Sequence, residues 1–293
     1  MKKISMTVVA CAVIVILSFS LQAADSPQGL KVFISVDMEG VAGVIHWNDV
    51  GRSGKDYNLF RRLMTEETNA AIEGALEAGA TEILVRDSHG SARNILPDLL
   101  REEAFLIRDW SGGIFSMMEG IDESYDAVIF IGYHGREGTP NAVLKHTMNG
   151  RIDCFINGTN MPEAGINGAI AAYYGVPVVF VAGDKAIVKQ CREIFGEIGG
   201  VAVKDAIGTA AKMIHPKKAQ AMIKAGVKEA LGNLSKYKPL ALSKPITMEI
   251  KYKHENDAAH AAWFPGAKRT GERTVAYTHD DFIECLKFFM FVR

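Results

Sequence analysis

Leu30-Lys31-Val32-Phe33-Ile34-Ser35-Val36-Asp37-Met38-Glu39-Gly40 is an apolar run that stops at two carboxylates and a glycine. An apolar segment of this length reads as a first strand. Side chains on a strand alternate with a period of two, so Asp37 and Glu39 project to one side as a chelating pair. Tyr57 to Ala78 repeats apolar residues at helical spacing, Gly79 fits its C-terminal cap, and Thr81 to Val85 is a second strand. Strand, helix and strand in this order make a βαβ unit, whose right-handed crossover implies a parallel sheet.

The pattern continues downstream. Ser91 to Glu103 reads as a loop and short helix, Ala104 to Ile107 as a short strand, Ile114 to Gly120 as a helix and Ala127 to Ile131 as a strand. Lys145 to Ile156 alternates around Asn149-Gly150, a hairpin signal. Pro162 and Glu163 open a helix that runs to about Tyr174, and Val176 to Ala182 is a further strand. From about Gly199 a Lys-punctuated helix precedes alternating strands near Ile246 to Tyr252 and Thr274 to Tyr277. The expected fold is α/β: a mostly parallel sheet flanked by helices in three αβα layers over residues 25–195, then a smaller α+β domain over 196–293.

Residues 1–24 differ in character. Lys2 and Lys3 lead into an apolar stretch from Met6 to Leu21 and then Ala23 and Ala24, the order of a secretory signal peptide. The apolar part is short for a spanning helix, and an uncleaved anchor is the alternative reading. The expectation is a periplasmic or secreted protein with no stable membrane association after signal cleavage. At 293 residues, 48% hydrophobic and 23% charged, the chain supports a large core, and a net charge of -1 gives no electrostatic basis for binding nucleic acid. Cys154, Cys191 and Cys285 are widely spaced with no CxxC, so they read as core residues. The glycines from Gly40 to Gly54 lack the spacing of a nucleotide loop.

Two further apolar strands end in potential ligands, at Asp87-Ser88-His89-Gly90 and Gly132-Tyr133-His134-Gly135. In parallel sheets the functional crevice lies beyond the carboxyl ends of the strands, which is where Asp37, Glu39, His89 and His134 fall. Taken singly, each is as well read as a turn residue or cap, and Glu163 as a partner of the helix dipole. Together they have no reason as turn residues to gather at adjacent strand tips. Carboxylates and imidazoles without thiolate suit a catalytic Zn²⁺ site. Asp37, Glu39, His89, His134 and Glu163 are too many for one tetrahedral ion with an open position, and about enough for two ions per chain sharing a carboxylate. Such a pair can activate water and polarise a carbonyl.

The chain resembles the zinc-dependent D-aminopeptidases that carry an SxDxEG motif. The resemblance rests on Ser35 to Gly43, Asp87-Ser88-His89-Gly90, Gly132-Tyr133-His134, Lys145-His146-Thr147, Pro162 to Asn167 and Arg273 to Tyr277. It implies that Asp37, Glu39, His89, His134 and Glu163 bind a dinuclear zinc centre and that His146 is catalytic. From the residues alone, His146 is equally a strand residue facing solvent. The resemblance also implies a homo-oligomer, a decameric ring of two stacked pentamers, and a short peptide or amide substrate with a D-configured N-terminal residue such as D-Ala. Asp184 is a candidate to receive the free α-amino group, and His46 is the other histidine near the first motif. Trp110, Phe130 and Trp263 read as core. Two rival readings are another dinuclear-metal hydrolase (amidase, lactonase or phosphoesterase) and a periplasmic solute-binding protein.

Overall fold

The computed structural model describes residues 29–293, and the expected leader at 1–24 lies outside them. β1 (Leu30–Val36) runs through a loop and the short α1 (Trp47–Val50) into α2 (Tyr57–Glu77), then returns as β2 (Ala80–Asp87), parallel to β1. β3 (Phe105–Ile107) adds beyond β2, whereas β4 (Ala127–Tyr133) pairs with the opposite edge of β1. β5 (Ile152–Ile156) and β6 (Thr159–Met161) form a hairpin before α3 (Glu163–Tyr173), β7 (Val178–Asp184), α4 (Lys185–Phe195), β8 (Gly199–Ile207) and β9 (Ala210–Met213). The chain ends with α5 (Pro216–Leu231), β10 (Ile246–Tyr252), α6 (Glu255–Ala261), β11 (Lys268–Gly271), β12 (Thr274–His279) and α7 (Phe282–Val292).

The first sheet has the order β3-β2-β1-β4-β7-β8-β9 and is parallel except for β9. Every residue of β4 and β7 is buried, as expected of strands covered on both faces. α2 and α5 cover one face, where Met64, Ile72, Ile223 and Val227 meet Val32, Ile34 and Ile129. Under the other face Phe33, Val128 and Phe130 pack with Ile166 and Ile170 of α3 and Cys191 of α4. Each such side chain contributes about 1.5–3 kcal/mol on burial. The α/β class and the mostly parallel, helix-flanked sheet are therefore as the sequence implies.

The division at 195/196 is not. β8, which follows it, pairs with β7, and the second sheet, antiparallel in the order β11-β12-β10-β5-β6, recruits β5 and β6 from upstream. Cys154 of β5, Met248 and Ile250 of β10 and Phe288 of α7 continue the core that begins under Phe130, so the two sheets share one apolar interior. The hairpin turn also lies elsewhere. Asn157 and Gly158, both at positive φ (49° and 81°), connect β5 to β6 with Ile156 opposite Thr159, a two-residue turn suited to strand twist. Asn149-Gly150 is a turn that precedes β5 with no strand on its upstream side. The expected helix at 114–120 is a single 3-10 turn, Ser116–Met118, and 91–103 holds turns only.

Candidate metal centre

The strand order reverses between β1 and β4, and the crevice of an open α/β sheet opens at that switch point. Asp37 directly follows β1, His89 lies just beyond β2 and His134 directly follows β4. Glu163 opens α3, and His146 sits in the loop between β4 and β5. Two glycines let the tips of β1 and β4 approach. A Cβ on Gly40 would lie 1.9 Å from the Tyr133 carbonyl oxygen, and one on Gly132, whose φ is +71°, 2.1 Å from that of Asp37. In their place run two short backbone bonds, Asp37 N–H to Ile131 O (2.8 Å) and Gly40 N–H to Gly132 O (2.7 Å).

The six side chains converge. His89 Nδ1 lies 2.9 Å from Glu39 Oε2 and 3.2 Å from Asp37 Oδ1, while His134 Nε2 lies 3.3 Å from Asp37 Oδ2 and 3.7 Å from Glu163 Oε1. His146 Nε2 is 3.4 Å from Glu163 Oε1 and 4.0 Å from Glu39 Oε1. The rings of His134 and His146 stack at 4.2 Å. Each imidazole is oriented by its other nitrogen: Nε2 of His89 meets the Val50 carbonyl (3.0 Å), Nδ1 of His134 that of Gly135 (3.0 Å) and Nδ1 of His146 that of Leu144 (2.8 Å). Outer contacts of this kind set the tautomer and ring plane of metal-binding histidines.

The electrostatics show a demand for positive charge. Burial raises the Asp37 carboxyl, but the imidazoles of His134 and His89 beside it outweigh that and hold the group well below the ordinary range. Burial opposes charge on His89 and His134, yet Glu39 and Asp37 push His89 well above its usual value, and Glu163, Asp37 and Glu39 push His134 up to about 10. Burial lifts the Glu163 carboxyl against the pull of His134 and His146. Three carboxylates packed together need cations nearby, and a divalent ion meets that need without the two protons. Asp37 Oδ2, Glu39 Oε2 and His134 Nε2 are buried with another group of the cluster within 3.3 Å but no aligned hydrogen bond among the described residues, which costs about 1–3 kcal/mol each unless something else satisfies them. Their chemistry fits a metal.

Ligand atoms within 4.8 Å of one another fall into three triads: Asp37, Glu39 and His89; Asp37, His134 and Glu163; and Glu39, His134 and His146. The first two share only Asp37, whose two oxygens face different histidines. Asp37, Glu39, His89, His146 and Glu163 line a pocket of about 440 Å³, within the range of small-molecule sites.

The other candidates lie outside it. Asp184 is buried and caps α4 by accepting from Ile187 N–H (2.7 Å), with its second oxygen on Gly135 N–H (3.3 Å), so it does not reach the pocket. His46 caps α1. Cys154, Cys191 and Cys285 are buried free thiols in the core. Phe130 is core as expected, but Trp110 (40% exposed) lines the pocket and Trp263 is 80% exposed. Sequence reasoning also missed Trp47, whose ring meets His146 edge to face at 5.3 Å, and the role of Ser35. The Ser35 hydroxyl touches Ser88 Oγ (2.8 Å), Tyr133 OH (2.7 Å) and the Met117 carbonyl (2.9 Å), and Asn167 of α3 donates to the same phenol. The serine of the motif thus ties the three strand tips and α3 together beneath the cluster.

Fold and site define the class: an α/β enzyme with a carboxylate and imidazole centre at its topological switch point. The chain belongs to the D-aminopeptidase family, whose model matches residues 30–291. It is 36% identical over 259 residues to the D-aminopeptidase of Bacillus subtilis, covering 87% of this chain and 93% of that protein. It also matches the solved structure of the Zn-dependent D-aminopeptidase DppA from Bacillus subtilis, described as a self-compartmentalizing protease. That match has a TM-score of 0.86 and 34% identity, and covers 90% of this chain and 96% of that one.

Proposed function

We propose that this protein is a zinc-dependent aminopeptidase that removes a D-configured N-terminal residue, such as D-Ala, from short peptides or amides. The observation that carries the reading is the pair of triads sharing Asp37, with His146 beside them. Asp37, Glu39 and His89 would hold one zinc ion and Asp37, His134 and Glu163 a second, with Asp37 common to both. Bound zinc supplies a water made acidic enough to act near neutral pH and a Lewis acid for the scissile carbonyl.

The chain's own groups do the rest. With Nδ1–H of His146 donated to Leu144 O, protonated His146 presents its second N–H into the pocket. From there it donates to the oxygen or leaving nitrogen on which charge develops. Trp47 and Trp110 wall the site, and the Ser35 network holds the strand tips in place.

The third triad favours a second reading, in which His146 is itself a ligand with Glu39 and His134. Zinc analysis of His146→Ala separates the two: unchanged metal content supports an acid role, loss of an ion supports ligation. The main test pairs metal analysis of the purified chain with turnover of D- and L-alanyl amides and phosphate esters. Two zinc ions, D-selective turnover and loss of activity on chelation support the proposal. Activity confined to the esters, or ligand capture without turnover, refutes it.

The same reading extends to a homo-oligomer, a decameric ring, and to export directed by residues 1–24. Light scattering of the purified protein tests the assembly. N-terminal sequencing of exported material tests cleavage near Ala24.

A further inference from the structure

Below the cluster lies a buried cation that the chemistry above does not use. Lys204, on β8, is 2% exposed, and its ammonium donates to the carbonyl oxygens of Glu39 (2.5 Å), Val41 (2.9 Å) and Val44 (2.6 Å). An ammonium has three protons and no acceptor, so these three carbonyls satisfy it completely. All three belong to the turn that follows β1 and carries Glu39, a stretch with neither strand nor helix to pair its backbone. Asp184, Glu67, Glu39 and Asp49 are the charged groups that act on Lys204.

The effect on Glu39 is specific. Its carbonyl is held by Lys204, and the N–H across the same peptide bond, that of Gly40, is held by Gly132 O at 2.7 Å. The 39–40 peptide plane is therefore pinned from both edges, which fixes the direction in which the Glu39 side chain leaves the backbone. Asp37 has its own anchor on β4 through Ile131 O, and His134 and Glu163 have theirs through Gly135 O and Met148 N–H.

Resting on the zinc reading given above, we propose that Lys204 is a positioning residue for metal binding. It sustains the position formed by Asp37, Glu39 and His89, and leaves the one formed by Asp37, His134 and Glu163 largely independent. Outer groups that orient ligands are typically worth about 10–100-fold in metal affinity.

The test is a zinc titration of metal-stripped protein against a chromophoric chelator, with wild type, Lys204→Met, Lys204→Gln and Glu39→Gln side by side. Wild type takes up two ions. Lys204→Met is expected to bind one ion with wild-type affinity and the other at least tenfold more weakly, the same ion that Glu39→Gln weakens. Lys204→Gln, which keeps two N–H donors and covers the case of a Met variant that does not fold, is expected to show a smaller shift in the same ion. Two ions bound at wild-type affinity by the folded variants, even at reduced thermal stability, would overturn the inference by leaving Lys204 a merely structural group. Equal weakening of both ions would overturn it as well. A wild-type chain that binds no zinc would refute the metal reading itself, and this inference with it.

Discussion

Replacing Gly40 with Ala should disable the centre without touching a single ligand. The Gly40 backbone does not lie at positive φ, so alanine meets no conformational penalty there, and the whole cost is steric. The new Cβ would sit 1.9 Å from Tyr133 O, 2.5 Å from Gly132 C and 2.6 Å from Gly132 O, all backbone atoms of β4. Ordinary contact begins at 3.4 Å, so the turn carrying Glu39 must move about 1.5 Å (3.4 minus 1.9) away from the strand carrying His134. Overpacking of this kind costs about 1–3 kcal/mol, and the lost Gly40 N–H to Gly132 O bond adds about 1 kcal/mol. A misplacement near 1 Å costs about a hundredfold in rate. Urea denaturation, zinc content and kcat/KM on a D-alanyl amide should therefore fall together. Gly175→Ala is the control: its φ is +75° with nothing within 4 Å of a Cβ, so it should lose about 1–2 kcal/mol of stability and no activity. A Gly40→Ala enzyme with wild-type rate and metal content would show that the close approach of β1 and β4 is not needed.

Three further outcomes follow from the same geometry. His146→Ala should lower kcat by about a hundred- to ten-thousand-fold while keeping its zinc, whereas His134→Ala should lose both turnover and metal, as read by kinetics and metal analysis. Ser35→Ala leaves the buried Tyr133 phenol and Ser88 hydroxyl each short of a partner, so denaturation should show a loss of about 1–3 kcal/mol, with ligand identity unchanged. Burial pushes the Glu67 carboxyl up to about 7, because among the described residues only Ala42 N–H bonds it directly and its second oxygen has no partner. The folded state holds that proton more tightly than the unfolded state does. The contribution is full below the ordinary value of 4.5 and is lost as pH rises through about 7. Wild type should therefore lose on the order of 2–3 kcal/mol more than Glu67→Gln between pH 5 and pH 8, and parallel denaturation curves would contradict the assignment.

Much of the candidate site was legible because its candidate ligands sit where periodicity ends. β1, β4 and β7 are mostly apolar runs, so their carboxyl ends, and hence Asp37 and His134, could be placed from sequence with the crevice beyond them. Glu163 was legible as the opening of a helix, whereas His146, in a loop with no period of its own, entered only through family resemblance. The second sheet was not legible as one unit. Its central pairing joins β5 at Ile152–Ile156 to β10 at Ile246–Tyr252, and no local signal records a partner that far along the chain. The Asn-Gly pairs at 149–150 and 157–158 illustrate the same limit: both are sound turns, and only the strands on either side decide which becomes a hairpin. Trp110 and Trp47 were missed because an aromatic outside a long periodic segment carries no sign of whether it faces a core or a pocket. Ser35 was quoted in the motif without a role, since a hydroxyl among apolar neighbours shows its three partners only once the strands are assembled.

The pairing of β5 with β10 also bears on when the enzyme becomes competent during its own synthesis. His146 and Glu163 flank the β5–β6 hairpin, and that hairpin finds its neighbour only after residue 252 has been made. A chain that ends before β10 thus carries all six side chains of the cluster, but the hairpin between His146 and Glu163 lacks its outer strand partner. A chain truncated before β10 is therefore expected to hold these two side chains less firmly than the finished polypeptide does.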